Sequence, residues 1–288
     1  MRKPLNLINK QVIHKSFGKG SIINQTDTCI EISFKTGRKK FIFPDAFDGF
    51  LTLIDEHAAE SVEKVIQHME HERKQQELAF EEEYARQRRE EQLIVLRERL
   101  LRNHKRHPKS QAAFWCKSDD IDKIFTDWRV FTGVIKSGMN EGKPNKPVRL
   151  GKTSACLLTA REPRTSEKQR RIIGAFMVDD HFVGQLCEDG YIPSNPEYRL
   201  RLTDEESKKM LFWNYYINEK YPDRTTWNTG VYRYFDNVWM AQILRDIVSI
   251  KEDPGEKELA RDFFEHFCKV NHINENELPE PGGTLKRL

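Results

Sequence analysis

The stretch QVIHKSFGKGSIINQTDTCIEISFKTGRKKFIF, residues 11–43, decides how the first part of this chain folds. Short runs rich in β-branched and aromatic residues are separated by turn signals that include Gly18, Gly20 and Gly37. In the run CIEISF, residues 29–34, apolar and polar side chains alternate, which gives the strand one buried and one exposed face. About four short strands of this kind cannot each bury a face alone, so the pattern predicts a small, closed or nearly closed β-barrel.

Positive charge is concentrated in this N-terminal part. The chain of 288 residues has a net charge of only +3, which is too small by itself to predict a nucleic-acid partner. Up to Leu53, however, there are nine Lys and Arg residues against four Asp and Glu residues. A predicted hairpin turn at Thr36-Gly37 would hold several of these cations on one loop that can contact phosphates. The alternative is a charged hairpin tip that keeps an edge strand soluble. The cations concerned are Lys35, Arg38, Lys39 and Lys40.

The same stretch resembles a known signature, V-x-H-x-x-F-G-x-G-x-I/V, at Val12, His14, Phe17, Gly18, Gly20 and Ile22. This signature is found in Tudor-like or SH3-like barrels at the C-terminus of UvrD-type repair helicases and, more loosely, in the RNA-polymerase-binding module of CarD-type transcription factors. The resemblance covers about 45 residues and implies a barrel over residues 1–54 that docks on RNA polymerase or nucleic acid. No helicase motor accompanies it in this sequence.

Residues 55–108 have a different composition. From Asp55 to about His104 the sequence contains no Gly or Pro, and Glu, Arg, Gln, Ala and Leu dominate, which predicts one long charged helix. Apolar residues recur at helical spacing near both ends but thin out between them, so a coiled-coil heptad pattern is not sustained. We therefore expect a solvated rod, with a homodimer through this helix and an adaptor that holds two protein partners apart as the alternatives.

Residues 109–288 predict a mixed α and β domain. Two strands, LLTARE and IIGAFMV, enclose a charged loop, and Phe114-Trp115-Cys116 precedes them. This arrangement resembles PUA-like barrels of the ASCH and EVE kind over about 70 residues. The resemblance implies a domain that holds RNA or a modified base, and because a few ASCH proteins are hydrolases, a nuclease or small hydrolase is the rival interpretation. The predicted strands are 154–159 and 171–178, and the predicted helices are 121–125, 205–216, 238–250 and 256–270.

Ten aromatic residues lie within residues 212–239, interleaved with arginines. Aromatic side chains beside a basic groove can stack on bases. The helical spacing of Phe212, Trp213 and Tyr216 is more typical of a core, whereas Trp227 lies in a polar stretch and is the predicted exposed stacking residue. The arginines of the loop before residue 171 can contact nucleic acid or can simply be solvated. The candidate nucleic-acid contacts of this domain are Arg164, Arg170, Arg171, Trp227 and Arg233.

The sequence predicts no catalytic residue, no metal and no cofactor. Gly151-Lys152-Thr153 resembles the end of a P-loop, but Lys146 stands where the earlier glycine is required. The five cysteines include no CxxC pair, so we expect reduced and mostly buried thiols. The chain also lacks an apolar run of signal-peptide or membrane-span length. These observations predict a cytoplasmic, bacterial α+β protein of several domains with no membrane partner. The two resemblances imply that it binds nucleic acid or the transcription machinery.

Overall fold

The computed structural model describes residues 5–227 and 230–287. The chain divides into two compact units, Met1–Gln92 and Leu93–Leu288. The first contains a five-stranded antiparallel sheet and the second a six-stranded sheet curled into a half-barrel, each with helical segments. The predicted α+β class is therefore confirmed.

The first unit is built on a sheet whose strand order is β4-β3-β2-β1-β5. Alternate residues of β3 point into a core that also contains Leu7, Val12 and Ile22. The four predicted strands are present, and a fifth, β5, pairs with the free side of β1. The strands are β1 (Gln11–His14), β2 (Gly18–Gln25), β3 (Cys29–Phe34), β4 (Gly37–Ile42) and β5 (Leu51–Leu53).

A long helix, α1 (Glu56–Arg102), follows the first sheet, close to the predicted bounds. At its start the Ala58 amide donates to Asp55 Oδ1 at 3.0 Å, and Asp55 also forms an ion pair with Lys10. Ala58 and Val62 are buried in the core of the first unit because only the first turns of α1 carry apolar residues packed against that sheet. The helix begins in the first unit and ends in the second.

The second unit has the strand order β11-β6-β8-β9-β10-β7, in which β6 and β8 are parallel and all other neighbours are antiparallel. The predicted strands 154–159 and 171–178 correspond to β8 and β9. The elements are β6 (Gln111–Trp115), α2 (Ser118–Asp127), β7 (Arg129–Phe131), β8 (Ala155–Ala160), β9 (Arg171–Val178), β10 (Tyr191–Arg201), α3 (Asp204–Lys209), β11 (Tyr232–Phe235), α4 (Asn237–Ile250) and α5 (Pro254–Asn271).

This sheet is buried on both faces. Leu157 and Met177 pack in one cluster with residues of α4 and α5, whereas Leu158 and Phe176 pack in a second cluster with Phe125 of α2. Strands covered on both sides read as continuous apolar runs instead of alternating ones. That is why LLTARE and IIGAFMV can be recognised in the sequence as buried strands.

The predicted helix over residues 205–216 is wrong in its second half. Helix α3 begins at a capping box, in which the Glu206 amide donates to Thr203 Oγ1 at 3.2 Å, and it ends at Lys209. After it the chain turns to the sheet, where Leu211 bridges Arg171 and the Phe212 amide donates to the Arg170 carbonyl at 2.9 Å. Tertiary pairing outweighs the helical spacing of the aromatic residues.

Candidate nucleic-acid interface

The four predicted cations of the first unit lie on the β3–β4 hairpin, and all are exposed. The loop between the strands is Lys35-Thr36, and Gly37 opens β4 with a φ of +114°. Arg38 lies opposite Ser33 and Lys40 opposite Glu31, so both share the outer face of β3. Because side chains alternate along a strand, Lys39 points to the other face, so the four cations do not form a single patch.

Lys39 instead lies over an aromatic cluster. Its Nζ is 5.5 Å from the centre of the Phe17 ring, which packs against His14 at 4.6 Å. The amides of Ser16 and Phe17 both donate to His14 Nδ1, at 2.9 and 3.3 Å. His14 of the sequence signature therefore fixes the turn after β1 through these hydrogen bonds, and the Phe17 ring packs against the Lys39 ammonium group.

Arg170 is a predicted contact to nucleic acid, and the structure contradicts this prediction. Its side chain is fully buried and forms a two-point ion pair with Glu167. Its guanidinium contacts two indole rings, 4.7 Å from the centre of Trp115 and 4.6 Å from that of Trp227. The two rings also pack edge to face against each other, with centres 6.2 Å apart, so this arginine is enclosed in the core.

Trp227 is predicted to be exposed, and this prediction is wrong because the residue is buried. Only 7% of its surface is accessible, and its Nε1 donates to the Gly230 carbonyl at 3.0 Å. The Arg233 guanidinium lies 4.2 Å from the centre of this indole, on which Arg170 also stacks. The polar sequence around Trp227 is misleading because the ring packs into the core cluster, with its centre 5.7 Å from that of Phe212.

The remaining predicted arginines differ in accessibility. Arg164 is exposed, with a φ of +67° in the connection between β8 and β9. Arg171 is half-buried and forms an ion pair with Glu162. Arg233 is half-buried between Trp227 and Tyr216 and donates to the Thr226 carbonyl at 3.5 Å. Of the predicted contacts in this unit, Arg164 is the one that is exposed.

A cavity of 610 Å³ lies where the two edges of the half-barrel meet. The strand order places β7 and β11 at opposite edges of the sheet. The cavity is lined by residues of β7 on one side and by Val231, directly before β11, on the other. The edges come close at Gly133, where a Cβ would lie 2.7 Å from Val231 and where φ is +77°. Helix α2 and the end of β6 complete the wall.

The wall of this cavity is apolar and includes three aromatic side chains. Phe131 and Tyr191 pack with ring centres 5.1 Å apart, and Arg129 stacks on Tyr191 at 4.6 Å. Trp115 is in contact with the buried Arg170, and Gly230 accepts a hydrogen bond from Trp227. The apolar and aromatic residues of the wall are Trp115, Ile124, Val130, Phe131, Val134, Tyr191 and Val231.

The rim of the cavity is positively charged. It carries four cationic side chains and two carboxylates, those of Asp120 and Asp127, so there is an excess of two positive charges. Asp127 is partly neutralised by Arg129, whose Nη2 lies 3.3 Å from Oδ2. The cations are Lys117, Lys123, Arg129 and Lys136, all of them exposed.

Cys116 also lines the cavity but is not an activated nucleophile. Burial raises its pKa to about 12, which outweighs the lowering effects of a hydrogen bond with the Thr159 backbone and of the nearby Arg170 charge. A cysteine needs a depressed pKa to react as a thiolate at neutral pH. Four of the five cysteines are buried, as the sequence predicts, and Cys29 is half-buried.

A second cavity of 660 Å³ has the opposite charge. It lies between β10 and α5, and its wall contains four carboxylates and one lysine around the stacked rings of Tyr198 and His266, whose centres are 4.3 Å apart. Burial lowers the pKa of His266, and nearby Asp180 and Glu197 act in the opposite direction. An excess of carboxylates repels phosphate groups, so this groove is the weaker candidate for an anionic ligand.

Within residues 5–227 and 230–287, no group of three or more His, Cys, Asp or Glu side chains is placed to hold a metal ion. Over that same part of the chain, no helix combines the length and the apolarity needed to cross a membrane. Comparison with protein-family models, with curated proteins and with solved structures gives no match for this chain. Any function proposed for this chain therefore rests on the geometry of the cavity and of the β3–β4 hairpin.

The sequence does not reveal the cavity. Its lining residues come from positions as far apart as Trp115 and Val231, and no local pattern connects them. The one available signal is the Phe114-Trp115-Cys116 segment, where Trp115 and Cys116 do line the wall. The cations of the rim are spaced along residues 117–136 among acidic residues, so they do not stand out as a basic cluster.

Proposed function

We propose that this chain is a nucleic-acid-binding protein whose C-terminal cavity holds one nucleotide of a bound strand. The observation that carries the proposal is the pairing of an aromatic wall with a cationic rim in one cavity. Its volume of 610 Å³ lies within the range of ligand sites, about 300 to 1,000 Å³. Proteins that bind single-stranded nucleic acid combine these same two features.

Each part of the cavity has a role in this proposal. The half-buried rings of Trp115, Phe131 and Tyr191 supply faces on which a base can stack. Asp120 and Asp127 supply acceptors for the N–H groups of a base edge, and the rim lysines supply charges for the phosphates on either side. The exposed hairpin cations of the first unit add contacts to phosphates that carry no sequence information.

The rival enzymatic interpretation receives less support from the geometry. A nuclease or hydrolase needs an activated nucleophile, a general base or a metal within reach of the substrate. The thiol that lines the cavity has a raised pKa, and the two carboxylates of the rim are exposed. The proposal is therefore binding without catalysis, with docking on RNA polymerase as an alternative role of the first unit.

The test is a binding titration with fluorescently labelled single-stranded DNA and RNA at several salt concentrations. We expect the Lys117→Gln, Lys123→Gln, Lys136→Gln triple variant to bind more weakly, with a salt slope reduced by about 0.7 for each phosphate that these lysines no longer neutralise. The matched control carries three Gln substitutions at exposed lysines of the same unit that do not line the cavity, Lys105, Lys220 and Lys286. Equal affinity and equal salt slope for the two variants would contradict the proposal.

A further inference from the structure

A hairpin whose tip has no part in the proposed function extends from the edge of the cavity. Residues 133–145 run out and back, with hydrogen bonds from the Ile135 amide to the Lys143 carbonyl at 2.9 Å and from the Gly142 amide to the Ile135 carbonyl at 3.0 Å. The Asn145 amide closes its base by donating to the Gly133 carbonyl at 2.9 Å. Because these bonds and an isolated β-bridge between Val134 and Pro144 join its two arms, the segment has a defined shape despite its glycines and its proline.

The base of this hairpin is fixed to the sheet. The Thr132 amide donates to the Gly190 carbonyl at 2.9 Å, Thr132 Oγ1 donates to the Asn145 carbonyl at 2.7 Å, and Asn145 Nδ2 donates to the Thr132 carbonyl at 3.1 Å. Gly190 must remain a glycine here, since a Cβ would lie 2.5 Å from Pro144 and φ is +74°. The hairpin is therefore held in a fixed position beside the cavity.

The tip of the hairpin presents an apolar side chain to solvent. Met139 is 100% exposed, and a positive φ at Gly138 shapes the turn that carries it. A single exposed apolar residue is ordinary on a protein surface. What distinguishes Met139 is its position three residues after Lys136, which lines the cavity, since three residues of extended chain span at most about 11 Å.

The charges of the hairpin favour an anionic partner. Lys136, Lys143 and Lys146 are exposed, and the one acidic residue between them is Glu141. Methionine is flexible and polarisable, and it is one of the apolar side chains that proteins insert between base steps. An apolar tip between cationic flanks is complementary to a duplex, in which phosphates surround the apolar faces of the stacked bases.

We propose that Met139 acts as a wedge that enters duplex DNA and fills the space left by a base that has moved into the cavity. This inference rests on the proposed function, because it requires a nucleotide in the cavity. A base inside a duplex can reach such a cavity only by leaving the stack, which is energetically unfavourable. A side chain that replaces the base in the stack offsets part of that cost.

The apolar tip favours DNA over double-stranded RNA. Proteins that insert an apolar side chain between base steps do so from the minor groove of DNA, which unstacks the step and kinks the duplex. Double-stranded RNA is instead recognised mostly by its shape and by contacts to phosphates and 2′-hydroxyl groups. The expected substrate is therefore duplex DNA with one base that leaves the stack easily, such as a mispaired one.

The experiment compares the full chain with its Met139→Ser variant on a DNA duplex that carries one mispaired 2-aminopurine, whose fluorescence rises when it leaves the stack. The probe is also offered as a single strand and as the corresponding RNA duplex. Met69→Ser is the matched control, because Met69 is an exposed methionine on α1. Because Met139 is fully exposed, its substitution should leave the fold of the chain unchanged.

We expect Met139→Ser to bind the DNA duplex about tenfold more weakly than the parent and Met69→Ser chains, which corresponds to ~1.4 kcal/mol. It should also lose the rise in fluorescence while its affinity for the single strand is unchanged. Parent-like duplex binding and fluorescence by Met139→Ser would overturn the wedge and leave the proposed function intact. Equal Met139 dependence on the RNA duplex would overturn the choice of DNA. If no single strand binds through the cavity lysines, the proposed function fails, and the wedge fails with it.

Discussion

At the scale of single residues, Arg170 and Trp227 show how partners decide a role. The sequence predicts both as direct contacts to nucleic acid, yet both are buried in a cluster in which Arg170 contacts Trp115 and Trp227 and Arg233 contacts Trp227. Trp115 also lines the cavity. In the proposed function their role is therefore to position the cavity wall, and they act on a ligand only through Trp115 and Gly230.

Replacing the buried tryptophans should destabilise the second unit. Trp213 is fully buried, so Trp213→Ala should lower the free energy of unfolding by about 3–5 kcal/mol. Trp227→Ala should cost about 3 kcal/mol, because that ring is also buried and is stacked by two arginines. Urea denaturation measures both values. Tyr221, which is 42% exposed, provides the control, and Tyr221→Ala should change stability by less than about 0.5 kcal/mol.

A buried ion pair provides a second prediction at this scale. Lys251 is almost fully buried, and its Nζ lies 3.0 Å from Glu206 Oε2 and 2.9 Å from the Arg201 carbonyl. Lys251→Met should cost about 3–5 kcal/mol, because it leaves the Glu206 carboxylate buried without its cation. Lys208→Met removes one partner of an exposed pair and should cost less than about 1 kcal/mol. Thermal denaturation measures both losses. A loss of stability for Lys251→Met as small as that for Lys208→Met would contradict a structural role for Lys251.

At the scale of elements, the β3–β4 hairpin separates two uses of charge. β4 is an edge strand, and charged side chains on an edge discourage pairing with another sheet. Arg38 and Lys40 share the outer face, whereas Lys39 lies over Phe17. Protection of the edge strand would explain charged side chains on either face of the hairpin. Contact with a phosphate backbone requires cations that lie on the same face.

Replacing all four hairpin cations with Gln should weaken nucleic-acid binding and reduce its salt dependence. Most of the effect should come from the Arg38→Gln, Lys40→Gln double variant, with the Lys35→Gln, Lys39→Gln pair contributing less. Salt-dependent titrations against duplex DNA measure both. The phosphate role of the hairpin is excluded if all these variants keep the affinity and slope of a control with Gln at four exposed cations of α1, Arg73, Lys74, Arg97 and Arg99.

The long helix α1 is predicted to be weak when isolated. Its middle is exposed and charged, with scattered exposed apolar residues such as Leu78 and Phe80, and only its first turns are buried, at Ala58 and Val62. A peptide of residues 61–102 should therefore be partly helical and mostly monomeric, because helices without packing partners are marginal in water. Circular dichroism and sedimentation equilibrium measure this. A stable dimer would instead support a coiled-coil adaptor.

At the scale of the whole molecule, the sequence predicts what depends on local pattern. Strands β8 and β9 are visible because both of their faces are buried, and α1, α4 and α5 are visible because of their composition and periodicity. The strand β10 is missed, because Pro193 and Pro196 normally argue against a strand. It tolerates them because its first residues pair with β7 and its last with β9, with a shift of register between Ser194 and Arg199.

The candidate site is less predictable than the fold. A cavity between the two edges of a curled sheet depends on which strands become edges, and long-range pairing decides that. Nor can the accessibility of Arg170 be read from its neighbours, since Trp115 and Trp227 are distant in sequence. The hairpin cations are predictable as residues, but their distribution over two faces requires the register of β3 and β4.

The central claim, a nucleotide held in the cavity of the second unit, is tested most directly by photocrosslinking. An oligonucleotide containing thiothymidine is irradiated with the full chain, and the modified residues are mapped by mass spectrometry. The claim predicts crosslinks at the aromatic wall, to Trp115, Phe131 or Tyr191, and their loss in the variant with Gln at the three rim lysines. Crosslinks confined to the acidic groove beside Tyr198 and His266, or to the β3–β4 hairpin, would contradict it.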